Sequence, residues 1–438
     1  MKTLVALALL IGAVGAWADK PKNIIFVIGD GMGMEYLTAY RHYSDNPATP
    51  ELDSTWFDQH LLGTVSTHPI DITDVTDSAS SATAMAAGVK TYNGAIGVNA
   101  NREPVETLLE RAKKRGYQTA MVATSQINHA TPASFSAHVE SRNQYDDIAD
   151  QYLDRRFNGK PWVDILIGGG RKYFEREERN LVHEFQSLGY QYADNFDELN
   201  DLTSSPALAL LADKGLPFAI DEKPHNRLEV MTQKALELLS PDRPFFLLVE
   251  ASQIDWCGHA NDIACAMAEM TDTEMTLKFI SEYVAKRPNT LVVVTADHST
   301  GGLSMGADRQ YLWRAEVVRN IQASSGVIAQ ALIDSGDAWQ GRWQELTGIP
   351  LNEKAIEVGQ NLLGVVANAA TTKERNEAVS QLEQAVRHGI DLASVTGWTT
   401  GGHTGGDVAV MALGPGAESF AGHQDNTDLA KKLFEVLQ

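Results

Sequence analysis

A series of apolar, β-branched runs punctuates the chain, and each gives way to glycine or to a polar turn. Asn23–Ile28 runs into Gly29-Asp30-Gly31, Tyr117–Thr124 into Ser125-Gln126, and Val163–Ile167 into three glycines. Phe245–Val249 precedes Glu250, Leu291–Thr295 precedes Ala296-Asp297-His298, and Asp407–Leu413 ends at Gly414-Pro415-Gly416. The runs are continuous rather than alternating, which predicts strands buried on both faces, as in a parallel sheet covered by helices. Helical periodicity between them predicts helices over Val105–Lys114, Leu228–Leu239, Ala264–Ala285 and Leu429–Leu437. The repeated strand–helix order predicts an α/β fold, a three-layer sandwich with a large, mostly parallel central sheet flanked by helices. The stretch Gln310–Asp391 breaks this rhythm. It reads as helices around Leu332, Lys354–Ala367 and Lys373–His388, a helical insertion inside a single domain spanning residues 19–438.

Composition narrows the function. Of 438 residues, 43% are hydrophobic and 21% charged, enough apolar material for a large core and too much for disorder. The formal charge of −21 argues against nucleic acid or an anionic membrane surface as a partner, since both need a basic footprint. An anionic substrate would have to be gathered by local cations or metals working against the global field. At the start, Lys2 precedes the apolar run Leu4–Val14 and then Ala16-Trp17-Ala18, the pattern of a signal peptide over residues 1–18. The run is too short to span a bilayer, so an exported protein, periplasmic or secreted and without a membrane span, is expected. The cysteines, Cys257 and Cys265, are eight apart. On one continuous helix they would stand roughly 12 Å apart, beyond the reach of a disulfide, whereas a bridge is feasible if Cys257 lies in a preceding loop. The spacing leaves both arrangements open.

In open α/β sheets, ligands bind beyond the carboxyl ends of the strands. Here those ends carry Asp30, Glu250, Asp297 and His298, with Asp255 and His259 shortly after the Phe245 strand and His403 in a glycine-rich loop before the last one. Each alone has a bland reading. Asp30 suits a turn, Asp297-His298 a helix N-cap, His403 a surface loop, and Asp255 with His259 a solvated face. Their recurrence at strand ends, hundreds of residues apart, points instead to metal. Mixed nitrogen and oxygen donors suit zinc, and an all-oxygen set suits magnesium. A nucleophile candidate lies in Asp77–Gly88, where small residues predict a closely packed helix whose first turn begins near Ser78. A helix N-terminus offers free N–H groups and a positive dipole end to a phosphate. No G-x-S-x-G surrounds Ser78, which disfavours an α/β-hydrolase elbow. Gly29-Asp30-Gly31-Met32-Gly33 is a poor dinucleotide fingerprint, because Met34 replaces its third glycine. His129-Ala130-Thr131-Pro132 reads as an N-cap with proline at the first helical position, leading on to Arg142. Alone, Arg142 reads as an exposed ion pair with Asp146 or Asp147, while its planar fork also suits two phosphate oxygens.

Together these residues resemble the alkaline phosphatase family from Asn23 to the Gly422–Asp428 stretch. The most specific pieces are Thr76-Asp77-Ser78-Ala79, Glu250–His259, Thr295–Gly302 and His403-Thr404-Gly405, all in family order. The resemblance implies hydrolysis of small-molecule phosphate monoesters through a phosphoserine on Ser78, with Arg142 binding phosphate. It implies two zinc ions stabilising the attacking and leaving oxygens of an in-line displacement. Asp255, His259 and His403 match the ligands of one. Asp30, Asp297 and His298 match those of the other, which also contacts Ser78. Asp30, Thr131 and Glu250 match the ligands of a third metal, usually magnesium. A homodimer is implied as well. The chain departs from the enterobacterial members at His129, where they carry aspartate, and at Trp256, where they carry lysine, a combination similar to marine bacterial members. Trp256 makes no charge contact to phosphate, so weaker product binding is expected, and His129 tilts the third site from magnesium towards zinc. A sulfatase would need a C/S-x-P-x-R context that Ser78 lacks. Phosphodiesterases usually lack the set of Thr131 and Glu250, and a mere binding protein would not need both Ser78 and Arg142.

Overall fold

A ten-stranded sheet carries the site. The computed structural model describes residues 21–438, so the leader read over residues 1–18 lies outside the described residues. The strands are β1 (Asn23–Gly29), β2 (Leu61–Ser66), β3 (Gln118–Gln126), β4 (Ile165–Gly169), β5 (Gln191–Ala193), β6 (Ala207–Leu210), β7 (Phe245–Ala251), β8 (Thr290–Ala296), β9 (Val408–Leu413) and β10 (Gly422–Asp425). Their spatial order is β10-β2-β9-β8-β1-β7-β3-β4-β6-β5. Every pairing is parallel except those of β9, which runs against both β8 and β2. The continuous apolar runs are the central strands: β1, β3, β7 and β8 are buried along their whole length. The strands that hydropathy passed over are short or lie toward an edge. β10 is Gly-His-Gln-Asp, and β2 is largely half-exposed, so neither carries an apolar signature.

The register decides where the chemistry sits. β1 pairs with β8 from Asn23↔Thr290 to Gly29↔Ala296, and with β7 from Ile24↔Phe246 to Gly29↔Ala251. The carboxyl ends of the three strands are therefore level, and Asp30, Glu250 and Asp297 arrive side by side. Because β9 is antiparallel, its amino end lies at that same edge, and the loop before it brings His403 there.

The helices that matter below are α1 (Ser78–Ala87), α2 (Leu108–Lys114), α3 (Arg227–Leu238), α4 (Gln253–Ala260), α5 (Ile263–Ala285), α6 (Ala315–Asn320), α7 (Ser325–Asp334), α8 (Trp339–Thr347), α9 (Glu353–Ala367), α10 (Thr372–Ser394) and α11 (Asn426–Val436). Helices α6 to α10 occupy the stretch between two short strands, Ser304–Met305 and Thr396–Gly397, which pair with each other. Cys257 and Cys265 form a disulfide with Cα atoms 5.5 Å apart. Neither arrangement weighed from the spacing occurs. The cysteines sit on two successive helices, α4 and α5, and the left-handed Asn261 (φ 54°) between them turns the chain so the side chains meet. No helix among the described residues is long and apolar enough to cross a membrane.

Candidate active site and metal centre

Three groups of donors come together at the carboxyl edge of the sheet. Asp255, His259 and His403 form one, Asp30, Asp297 and His298 a second, and Asp30, His129 and Glu250 a third, each with its ligand atoms within 4.8 Å of one another. Asp30, Glu250, Asp297, His298 and Thr131 are completely buried. Asp255 and His259 lie one helical turn apart on α4, with Nε2 of His259 3.4 Å from the Asp255 carboxylate. The His403 ring stacks on that of His298, centroids 3.6 Å apart. Gly31 makes the closeness possible. Its φ is +74°, and a Cβ there would come within 2.7 Å of the Asp255 Cα, so the glycines around Asp30 serve packing rather than dinucleotide binding.

The protons within these groups can be followed. Nδ1 of His259 donates to the Gly401 carbonyl at 2.7 Å, and Nδ1 of His403 to the Thr76 carbonyl at 2.9 Å. Their Nε2 lone pairs therefore face each other across 3.1 Å, with the Asp255 carboxylate 3.6 Å from that of His403. Thr300 Oγ1 gives its proton to Asp255 at 2.5 Å and accepts from Nδ1 of His298 at 3.3 Å. That leaves Nε2 of His298 bare as well, 3.4 Å from Asp30 and 3.3 Å from Asp297. Acceptors crowd on acceptors, an arrangement that cations satisfy. Buried side-chain atoms without a protein partner concentrate here: both Asp30 oxygens, Asp297 Oδ2, Glu250 Oε1, Thr131 Oγ1 and His129 Nδ1. Burial pushes the Asp30 carboxyl well above the usual range, with Asp297 adding repulsion. It lifts Glu250 to about 8 and Asp297 to about 7, drops His129 to about 3 and holds His298 well below its ordinary value. The first two groups mix imidazole and carboxylate, the donor chemistry of zinc. The third sets a His129 nitrogen beside the Asp30 and Glu250 carboxylates, and Thr131, two residues on from His129, is buried with its hydroxyl unpartnered.

Ser78 is the first residue of α1. Asp77 is the N-cap, its carboxylate accepting from the Ser80 N–H at 2.9 Å, and Gly88 closes the far end in the left-handed conformation. The helix is buried from Ser78 to Ala86, and Ser81 ties it to β8 by donating to the Asp297 carbonyl at 2.8 Å. Ser78 Oγ thereby stands 3.1 Å from Nε2 of His298. Arg142 pairs with Asp77 (3.0 Å), and its other arm lies 3.3 Å from Nε2 of His129. Asp146 and Asp147, its neighbours in sequence, are not its partners. They face outward from the first turn of the helix Tyr145–Asp154, whereas the Arg142 N–H is fastened to the Gly94 carbonyl. Trp256 meets His129 edge to face, ring centroids 5.9 Å apart.

Two local expectations change. Asp297-His298 caps no helix, because Ser299–Thr300 at once pairs as a short strand with His403–Thr404. Pro132 is third, not first, in the helical turn Ala130–Ala133, and His129 makes no side-chain cap there, its ring being turned toward Arg142. The sequence carries no sign of the orienting roles of Thr300 and of the Thr76 and Gly401 carbonyls. Thr300 lies inside the Thr295–Gly302 motif, but a hydroxyl that orients two donors has no signature of its own.

Residues 21–438 match the family model described as alkaline phosphatase. The chain is 45% identical over 423 residues to alkaline phosphatase 3 of Bacillus subtilis, covering 96% of this chain and 90% of that protein. The solved cold-active alkaline phosphatase of the psychrophile Shewanella sp. superposes with a TM-score of 0.86 at 43% identity, covering 95% of this chain and all of that one. A solved variant of the alkaline phosphatase of the Antarctic bacterium TAB5, with a histidine changed to aspartate and Mg bound in its M3 site, superposes with a TM-score of 0.68 at 27% identity, covering 95% of this chain and 98% of that one. The chain belongs to the alkaline phosphatase family, enzymes that hydrolyse phosphate monoesters.

Proposed function

We propose that the chain hydrolyses phosphate monoesters by way of a covalent phosphoserine on Ser78. The observation that carries this reading is the position of Ser78 Oγ, at the head of a buried helix and 3.1 Å from Nε2 of His298, among carboxylate oxygens that lack protein partners. Asp255, His259 and His403 would hold one zinc ion, and Asp30, Asp297 and His298 a second with Ser78 beside it. Asp30, Thr131 and Glu250 would hold a third metal, magnesium or zinc. When bound, such ions supply positive charge that favours the deprotonated serine oxygen and stabilises the attacking and leaving oxygens. Ser78 Oγ attacks phosphorus and displaces the alkoxide of the ester. Arg142, braced by Asp77, presents its fork to two phosphoryl oxygens, and the free N–H groups of the first turn of α1 add their dipole. Water then displaces Ser78 from phosphorus, releasing inorganic phosphate and restoring the hydroxyl.

His129 replaces an oxygen with a nitrogen beside the third group, which favours zinc there. The TAB5 variant that holds Mg in its M3 site, with aspartate in place of a histidine, fits that chemistry. The same reading includes export by the leader over residues 1–18, a periplasmic or secreted location, one domain over 19–438 with a helical insertion, and a homodimer. Sizing by light scattering and the N-terminal mass of the exported protein address these.

The deciding experiment is turnover of a chromogenic phosphate monoester at alkaline pH with zinc and magnesium, beside an EDTA-treated sample and Ser78→Ala. Turnover is expected to collapse with EDTA and to fall by at least about 10³-fold in Ser78→Ala. Acid-quenched enzyme should carry phosphate on Ser78. Turnover that survives the substitution removes the phosphoserine route.

A further inference from the structure

Asp255 and His259 ride on α4, a helix of only eight residues. His259 is its penultimate residue, and its side chain is 40% exposed, against 4% for Asp255 and 12% for His403 in the same group. Helix ends fray, and fraying of this last turn would carry Nε2 of His259 away from the other two donors. The joint between α4 and α5 is built against that. Cys257 lies between the two donors in sequence, is fully buried, and is bonded to Cys265 in the first turn of α5. The Asp262 N–H donates to the Cys257 carbonyl at 2.9 Å. The Asp262 carboxylate caps α5 through the Cys265 N–H at 3.1 Å, and its second oxygen takes the Ser325 N–H at the start of α7 at 2.7 Å.

We propose that the Cys257–Cys265 disulfide is a clamp that positions Asp255 and His259 and so sets how long their group retains its metal ion. This rests on the zinc reading above. The cysteines touch no reacting atom and act through the two donors that flank Cys257. A cross-link closing so short a loop removes less entropy from the unfolded chain than one spanning a domain, and its hold on the two donors is local and separable from its effect on global stability. Its effect is concentrated at the joint, where it forbids the opened forms of α4 in which His259 swings out. Groups that orient metal ligands typically change metal retention by an order of magnitude or more when removed.

The test uses the full-length, zinc-loaded enzyme mixed with excess chromogenic chelator, following zinc transfer with time. Three samples are compared: wild type, Cys257→Ala/Cys265→Ala, and wild type opened by a water-soluble phosphine. In the last, the phosphine takes the oxygen of one water to become phosphine oxide, and the two hydrogens end on the two thiols. The expected result is that one part of the zinc leaves about ten-fold faster in both opened forms while the rest leaves at the wild-type rate. Reoxidation of the phosphine-treated sample should restore slow release. Should the double variant fail to fold, the phosphine arm stands alone. Release at the wild-type rate from an opened enzyme overturns the clamp, as does an equal acceleration of all the zinc with a lowered melting temperature. An enzyme that takes up no zinc in any form overturns the metal reading and the clamp with it.

Discussion

Thr300 spends one hydroxyl on two donors, giving its proton to Asp255 and accepting from His298, so the tautomer of one metal-facing histidine and the aim of one carboxylate are set together. At this scale the resemblance and the bare sequence part company. Asp30, Glu250, Asp297 and His298 were legible as candidates because carboxylates and imidazoles recur where strands end, Ser78 because it opens a helix of small residues, and the phosphate role of Arg142 through the resemblance. The partners that orient them, Thr300 and two backbone carbonyls, were not, since any loop contains such groups. Trp256 and His129 lend themselves to direct tests. Trp256 offers no charge to phosphate, so Trp256→Lys should tighten inhibition by inorganic phosphate about five-fold, roughly the 1 kcal/mol of a partly exposed ion pair, and slow product release. Competitive inhibition curves at fixed pH check this. His129→Asp exchanges a nitrogen for an oxygen beside Asp30 and Glu250, and magnesium should then rise and zinc fall by about one ion per chain, counted by elemental analysis.

Elements bring the residues together through register and capping. Nothing in the local sequence around Asp30, Glu250 or Asp297 says that the three are neighbours. The matched ends of β1, β7 and β8 say so, and that alignment is a property of the paired sheet. The helix at Ser78 could be anticipated because an N-cap aspartate and small residues precede and fill it, whereas the paired helices α4 and α5 could not be told from a single one. Asp262 belongs to this scale, serving the first turns of α5 and α7 with one buried carboxylate. Asp262→Ala leaves two helix N-termini short of an acceptor and should cost about 2–4 kcal/mol, two caps' worth. Urea unfolding followed by circular dichroism measures it, and a loss below about 1 kcal/mol would mean that only one of the caps matters.

The whole molecule carries a formal charge of −21 and keeps several carboxyl groups in its interior. Outside the site, Asp391 on α10 accepts from the Trp398 indole at 3.2 Å, and Trp398 in turn lies against Gly301 of the loop that carries His298. Burial raises the Asp391 carboxyl to about 7, with Asp262 opposing its ionisation and Arg387 favouring it. The folded value lies above the unfolded one, so the folded protein holds the proton between about pH 4 and pH 7 while the unfolded chain has released it. The contribution is complete below about pH 4 and is lost as pH climbs through about 7, leaving a half-buried, poorly solvated charge in alkaline solution. Asp391→Asn keeps an acceptor for Trp398 without that charge. It should raise stability at pH 9 by about 2 kcal/mol and flatten the decline between pH 4 and pH 7, read from unfolding midpoints across pH. An unchanged slope would mean that water reaches the carboxylate in the folded state.

Hydropathy by itself determined the α/β class, the central strands and most long helices, because fully buried strands must be apolar along their whole length and covering helices must carry one apolar stripe. Residue chemistry at strand ends determined which side chains to suspect. The three-dimensional fold alone decided the rest. It set the antiparallel course of β9 that returns His403 to the site, the choice of Asp77 over Asp146 and Asp147 for Arg142, and the meeting of Cys257 with Cys265 across a left-handed Asn261. The first two depend on which distant segments lie side by side, the third on a turn that the apolar pattern does not mark. Contacts of that kind are made by the sheet as a whole, and no stretch of chain specifies them alone.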